Sequence, residues 1–133
     1  AQFAESFLRV GLVSGDGGAW FLPRAVGMSK AAEMTFTGDF VDAEEALACG
    51  LVSRVVDDDK LMPAARELAE KIARQPVHSL RLTKRLLRES QQVPLHTALE
   101  MAAAMQALAQ STHDQHEAVL AFLGKRAPKF EDR

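Results

Sequence analysis

The residues best suited to chemistry lie in a glycine-rich segment near the start of the chain. The segment runs Gly11-Leu12-Val13-Ser14-Gly15-Asp16-Gly17-Gly18, and a helix is predicted to begin directly after it. The free N–H groups of a helix N-terminus attract negative charge, so this turn could face an anionic ligand. Asp16 is equally suited to capping the helix, because aspartate is a preferred capping residue. Residue types alone leave both roles open and favour the cap.

Other candidates for chemistry carry less weight. The glycine segment lacks both the Lys-Ser/Thr of a phosphate-binding loop and the G-x-G-x-x-G spacing of a dinucleotide site. His113 and His116 lie one turn apart, but zinc needs further ligands, so we expect no metal site. Cys49 is the only cysteine, which excludes an internal disulfide and favours a reducing, cytoplasmic location. Arg81, Lys84, Arg85 and Arg88 form a basic stripe. No aromatic residues are interleaved with it, so it is interpreted as a solvated face rather than a nucleic-acid-binding surface.

Length and composition indicate a globular protein. The chain has 133 residues, 47% of them hydrophobic and 26% charged, which argues against wholesale disorder. No apolar run approaches the roughly 20 residues needed to cross a bilayer. The formal net charge of -2 gives no reason to expect nucleic acid or an anionic membrane as a partner. The chain begins with Ala1 rather than Met, and the glycine turn is its first conspicuous signal, so we expect it to be part of something larger. The opening residues, 1–13, fit the end of a strand followed by a short turn or helix.

Hydrophobic periodicity predicts a mostly helical chain with one or two short strands. Helices are predicted over 18–25, 28–36, 77–90 and 95–110, with capping patterns at Asp42 and Thr112. The segment 51–56 is the clearest strand candidate. Two apolar stripes stand out. The first is expected to be buried and consists of Leu61, Ala65, Leu68 and Ile72. The second is expected to support self-association through close helix contact, with a contact inside one subunit as the alternative; it consists of Leu95, Ala98, Ala102, Met105 and Ala109.

The order of several short motifs resembles the crotonase (enoyl-CoA hydratase/isomerase) superfamily. The motifs include Leu22-Pro23-Arg24-Ala25-Val26-Gly27, Ala43-Glu44-Glu45-Ala46, Gly50-Leu51-Val52-Ser53-Arg54-Val55-Val56 and Ala121-Phe122-Leu123-Gly124-Lys125-Arg126-Ala127-Pro128. Each motif is weak, but their shared order is specific and covers essentially all 133 residues. The resemblance implies the C-terminal half of a crotonase-like ββα spiral fold. Residues 1–56 would end the spiral core, and residues 57–133 would form a C-terminal helical trimerisation region.

The resemblance also implies an enzyme of fatty acid metabolism that acts on an acyl-CoA thioester. Coenzyme A would be part of the substrate, with no covalently bound cofactor. The family holds the thioester oxygen between two backbone N–H groups, and acidic side chains move protons next to the stabilised enolate. Both N–H donors belong to the family's N-terminal half, so this chain alone is expected to be inactive. The expected assembly is a homotrimer or hexamer, and the alternative function is a non-catalytic helical assembly module.

The match to the family's site favours an isomerase over a hydratase. Hydratases carry a catalytic glutamate at the position of Phe7, and phenylalanine cannot move a proton. Several isomerases place an acid at the position of Gly15, one residue before Asp16. With Trp20, this pattern looks most like isomerases that act on ring-containing acyl-CoAs in phenylacetate breakdown. The resemblance therefore makes Asp16 the candidate general acid/base, with Glu5 in reserve. Phe7, Gly15 and Trp20 are the expected substrate contacts.

Two further positions match family residues that reach the adenine-nucleotide end of coenzyme A. They are Phe122 and Lys125, which lie three apart on the last predicted helix and should share one face. An aromatic ring offers a surface for adenine, and an ammonium donates to ring nitrogens or phosphate. The alternative is a buried phenylalanine beside a solvated lysine.

Overall fold

Helices account for most of the computed structural model, which describes residues 1–131. The helical share is 68% and the strand share 3%, which confirms the predicted, mostly helical class with short strands. The chain divides into two units, Ala1–Leu61 and a second that starts at Met62. The elements of the first unit are β1 (Gln2–Phe3), α1 (Gly18–Thr37), β2 (Val41–Asp42) and α2 (Ala43–Ala48). Then follow α3 (Leu61–Ala73), α4 (Val77–Glu89), α5 (Leu95–Gln110) and α6 (His113–Leu123).

The two strands bring the start of the chain onto the core of the first unit. β1 and β2 pair antiparallel, with Gln2 opposite Asp42 and Phe3 opposite Val41. Phe3 thereby packs against a small apolar core formed by Leu22, Ala31, Met34, Val41 and Ala46. A short 3₁₀ helix, Phe7–Val10, connects β1 to the glycine segment.

Helix α1 consists of two helical stretches, as the sequence predicts. Gly27 interrupts it with φ 78° and ψ 160°, a backbone conformation that only glycine adopts readily. The predicted caps are also present. Asp42 Oδ1 accepts a hydrogen bond from the N–H of Glu45 at 2.9 Å, and Thr112 Oγ1 accepts one from Gln115 at 3.2 Å.

The predicted strand over 51–56 is wrong. The N–H groups of Leu51 and Val52 both donate to the carbonyl of Ala46, at 2.9 and 3.2 Å, in the turn that ends α2. Those groups are therefore not available for a strand ladder. Both side chains instead pack against the core of the first unit. Leu51 and Val52 are partly buried, whereas Val55 and Val56 are exposed, so the apolar run corresponds to partial burial at its start and to no strand pairing.

The predicted burial of the first apolar stripe is also wrong. On α3, Leu61, Leu68 and Ile72 are 58%, 37% and 47% exposed. The described residues cover this face only in part, so its helical period is correct while its burial is not. We call Leu61, Leu68 and Ile72 the α3 apolar face.

The second stripe is half-buried within the second unit. Ala102, Met105 and Ala109 line a groove of about 230 Å³ together with Leu82 and Leu86 of α4. Leu95, at the start of the stripe, is 75% exposed. Part of the stripe therefore faces α4, and none of its residues is fully buried. Within the described part of the chain, no helix is long and apolar enough to cross a membrane.

Candidate active site and the turn after the last helix

Asp16 caps helix α1 from the residue before the usual capping position. Its Oδ1 accepts a hydrogen bond of 2.8 Å from the N–H of Gly18, the first residue of the helix. Gly17 occupies the capping position with φ 94° and has no side chain to offer. The capping role is therefore present. The second carboxylate oxygen accepts no hydrogen bond among the described residues, which leaves it able to take a proton from a bound molecule.

Glu5 approaches the same point from the other side of the chain. A Cβ atom built on Gly18 would lie 2.3 Å from Glu5 Oε1 and 3.0 Å from Asp16 Oδ1. Both carboxylates therefore meet at the first residue of α1, where free N–H groups favour negative charge. Residue types and the family resemblance indicate both acids, but no local sequence pattern shows that their carboxylates meet at Gly18. The available signal was Gly18 itself, since a glycine in a helix's first turn can mark a close approach.

The Glu5 carboxylate is partly unpaired. Its Oε1 is buried and has no hydrogen-bond partner among the described residues. Glu5 also lines an open depression of about 370 Å³, together with Gln2, Phe3, Ala4, Leu22, Met34 and Leu51. A buried acceptor without a partner costs free energy, and a ligand that donates to it would recover that cost. Glu5 therefore offers a second carboxylate, with one unpaired oxygen, beside Asp16.

Trp20 is held by Arg24, a residue the sequence did not single out. The Arg24 guanidinium lies 3.8 Å from the centre of the Trp20 ring, and its Nη1 donates to the Trp20 carbonyl at 2.8 Å. Phe21 meets the same ring edge-on, with centroids 4.8 Å apart. One face of the indole is thus occupied by a cation, and the side chain is 39% exposed. The i,i+4 spacing of Trp20 and Arg24 was the signal that could have found this pair.

Phe7 and Gly15 lie on either side of the turn that leads to Asp16. Phe7 is half-buried in the 3₁₀ helix, and its carbonyl accepts from Leu12 at 3.0 Å. A Cβ on Gly15 would meet only the Val13 carbonyl oxygen, at 3.8 Å. Gly15 can therefore accept a side chain without a clash, in contrast to Gly18.

Phe122 and Lys125 do not share a helical face, contrary to expectation. Helix α6 ends at Leu123, and Lys125 lies in the turn beyond it with φ 48°. Phe122 remains on the helix and is 83% exposed, so it is not a buried core residue within this unit. Gly124 ends the helix one residue before the position that takes the left-handed conformation.

An ion pair joins this turn to α6. Both oxygens of Glu117 accept from Arg126, at 2.6 and 2.7 Å, and Oε1 also accepts from the N–H of Lys129 at 2.8 Å. The Arg126 hydrogen bonds and, after them, the Lys129 N–H lower the pKa of Glu117 to about 2. The same contact raises the pKa of Arg126. Across residues 1–131, no three His, Cys, Asp or Glu side chains gather as a metal site.

Comparison with known proteins decides the family. The family model described as enoyl-CoA hydratase/isomerase matches residues 1–133. The chain belongs to this family. Enoyl-CoA hydratase/isomerase proteins similar to it include the 1,2-epoxyphenylacetyl-CoA isomerase of Escherichia coli, which is 37% identical over 98% of this chain and 50% of that protein. The 2,3-dehydroadipyl-CoA hydratase of the same organism is 38% identical, over 100% of this chain and 52% of that protein.

Solved structures place the fold in the same family. An enoyl-CoA hydratase from Bacillus anthracis superposes with a TM-score of 0.93 at 35% identity. The match covers 96% of this chain and 50% of that one. The chain therefore has the crotonase fold over its length and spans about half the length of the relatives it matches.

Proposed function

We propose that this chain supplies the proton-transfer and nucleotide-binding residues of an isomerase-like enzyme that acts on an acyl-CoA thioester. The observation that carries the proposal is the meeting of Glu5 and Asp16 at Gly18. Two carboxylates at the start of one helix form a site able to take a proton from the carbon next to a thioester carbonyl and return it elsewhere. The family membership supports the substrate class.

Asp16 is the proposed general acid/base, and Glu5 is its reserve. Asp16 is exposed and follows the position where family isomerases carry their acid. Its cap bond uses Oδ1 and holds the side chain in one orientation, which suits a group that must meet a reacting carbon. Glu5 is better shielded from water and has an unpaired oxygen, but it lies on the far side of Gly18.

The preference for isomerisation over hydration rests on Phe7. A phenylalanine at this position removes the second acid that hydratases use to handle water. The names of the relatives support both chemistries, since one is an isomerase and the other a hydratase at nearly equal identity. We propose a ring-containing acyl group, for which Phe7, Gly15 and Trp20 would form the contacts.

We further propose that Phe122 and Lys125 contact the nucleotide end of coenzyme A. The exposed ring of Phe122 on α6 and the ammonium of Lys125 in the turn beyond it match the adenine and phosphate chemistry of that ligand. Coenzyme A enters as part of the substrate. We propose no catalytic turnover by the 133-residue chain alone, because the family's oxyanion donors belong to its other half. A cytoplasmic location is part of the same proposal.

Assembly is the second proposed role. The α3 apolar face leaves Leu61, Leu68 and Ile72 partly exposed on one side of the helix, and exposed apolar faces can be association sites. We propose that the chain self-associates, most simply as a trimer. This role is compatible with catalysis, and on its own it would be the function of a non-catalytic assembly module.

The experiment that tests the catalytic proposal is a pair of substitutions in the active enzyme that contains this chain. Asp16→Asn keeps the cap, since asparagine caps about as well as aspartate, but it cannot exchange a proton. Turnover should fall by roughly two to four orders of magnitude. Glu5→Gln should lower turnover less than Asp16→Asn does. The reverse order would transfer the acid/base role to Glu5.

A further inference from the structure

We propose that Glu117 is a positioning residue: through Arg126, it holds the turn after α6 in the conformation that presents Lys125. The inference rests on the proposed contact between Lys125 and the nucleotide end of coenzyme A. It assigns a role to a carboxylate that lies outside the acid/base site.

The turn after α6 has the hydrogen bonds of a Schellman motif. The N–H of Arg126 donates to the Ala121 carbonyl at 3.0 Å, and the N–H of Lys125 donates to the Phe122 carbonyl at 3.2 Å. This pattern requires a left-handed residue directly after the helix cap, and glycine is the usual choice. Here Gly124 stands one residue too early, so Lys125 takes that position with φ 48°.

Lys125 therefore adopts a conformation that is unfavourable for its residue type. Among the described residues, it is the one non-glycine residue with positive φ. Left-handed backbone brings Cβ of an L-residue too close to the following carbonyl, so surrounding contacts must maintain it. A glycine at this position would remove the strain but also the ammonium. The strained backbone and the positively charged side chain therefore belong to the same residue, Lys125.

Glu117 supplies the contacts that maintain the turn. Its side chain is 13% exposed, and it binds the guanidinium of Arg126 through both oxygens, at 2.6 and 2.7 Å. It also accepts from the backbone of Lys129 at 2.8 Å. Three residues earlier on the same helix, Asp114 Oδ1 accepts from the N–H of Glu131 at 2.8 Å. Two carboxylates of α6 therefore bind the chain that follows Lys125.

The arrangement leaves the Lys125 ammonium available for a ligand. Helix α6 fixes the residues before Lys125, and the ion pair with Glu117 fixes the residue after it. Within residues 1–131, Lys125 itself forms no ion pair. Its neighbour Arg126 takes the carboxylate, and this division of partners leaves Lys125 as the cation of the turn able to meet an anionic group.

The backbone part of the proposal is tested by NMR on the 133-residue chain. Couplings that report φ at Lys125 should show the left-handed conformation in the wild type and its loss in Glu117→Gln. Glu100→Gln is the matched control, because it removes an exposed carboxyl of α5 far along the sequence from the turn. Unchanged couplings at Lys125 in Glu117→Gln would overturn the proposal.

A glycine background supplies a second test, in a chain that Lys125→Gly is expected to make more stable. Glycine keeps the left-handed conformation without strain and loses the full ion pair in Glu117→Gln, whereas release of the Lys125 strain offsets part of that loss in the wild type; Glu117→Gln should therefore lower Tm more in a Lys125→Gly background than in the wild type. An equal loss of Tm in both backgrounds would mean that Glu117 stabilises the fold generally, and would refute the positioning role.

Titration with coenzyme A tests the functional part. Glu117→Gln and Lys125→Ala should each raise the dissociation constant about tenfold, and the double variant should show no further increase. Additive effects would overturn the claim that Glu117 acts through Lys125. If the wild type does not bind coenzyme A, the proposed role of Lys125 fails, while the NMR couplings still decide whether Glu117 holds the turn.

Discussion

The carboxylate of Glu5 occupies the space that a side chain at Gly18 would need. A Cβ at Gly18 would stand 2.3 Å from Glu5 Oε1, closer than real Cβ contacts come. The N–H of the same glycine is bound by Asp16, so one residue without a side chain lets two acids share the start of α1. The absence of a side chain at Gly18 therefore leaves room for both carboxylates of the candidate acid/base site.

Gly18→Ala should displace the Glu5 carboxylate, because the added Cβ would lie 2.3 Å from its Oε1. The atoms that must move are the far ends of the flexible Glu5 and Asp16 side chains, so the unfolding free energy should change little. The measurement is the NMR chemical shift of the Glu5 carboxyl carbon, which should change in Gly18→Ala. Gly15→Ala is the control and should leave that signal in place, because its Cβ would meet only a carbonyl oxygen at 3.8 Å. An unchanged Glu5 signal in Gly18→Ala would contradict the close approach of Glu5.

The ion pair of Glu117 makes stability depend on pH in acid. The pKa of Glu117 falls from 4.5 to about 2 on folding, so the unfolded chain binds more protons between these values. The stabilisation is complete above pH 4.5 and is lost as the pH falls toward 2. Unfolding free energies measured across that interval should decline more steeply for the wild type than for Glu117→Gln. Glu100→Gln should follow the wild type, and identical slopes in all three would count against the ion pair.

Lys125→Gly should stabilise the chain while weakening its affinity for coenzyme A. Relief of the left-handed strain is worth about 1 kcal/mol, which thermal unfolding can detect. Lys125→Ala keeps the strain and removes the same ammonium, so it separates the two effects. A Lys125→Gly variant that is less stable than the wild type would show that the turn carries no strain.

Self-association should depend on the α3 apolar face. Sedimentation velocity at micromolar concentration should give trimers for the wild type, and Ile72→Lys should shift the population to monomers because it places a charge on that face. Glu70→Lys also introduces a lysine on α3 but outside that face; although it removes the exposed Glu70–Arg74 ion pair, it should leave the trimers intact. Monomers alone for the wild type would refute the assembly role.

Local sequence patterns are sufficient to predict helix caps and helix breaks, but not burial or the contacts between distant segments. Caps at Asp42 and Thr112 and the break at Gly27 follow from a few neighbouring residues, so the sequence was sufficient for them. The strand over 51–56 failed because the Ala46 carbonyl takes the N–H groups a ladder would need, which no local pattern reveals. The α3 stripe failed for a related reason: period shows which face is apolar, but burial depends on what covers it.

The same distinction holds for the site. Asp16 and Glu5 could be named from residue type and resemblance, but their convergence needed the path of the chain from β1 to α1. The three-residue spacing between Phe122 and Lys125 predicts that both lie on one helix. Gly124 ends that helix, and the ion pair of Glu117 with Arg126 spans nine residues, beyond the range of helical spacing rules.

Exchange of the proton next to the thioester carbonyl tests the central claim most directly. In heavy water, the active enzyme containing this chain should exchange that proton of a ring-containing acyl-CoA for deuterium, as mass spectrometry or NMR would show. Asp16→Asn should slow exchange by roughly two to four orders of magnitude while leaving the unfolding free energy nearly unchanged. Undiminished exchange in Asp16→Asn would contradict the account and leave Asp16 as a helix cap alone.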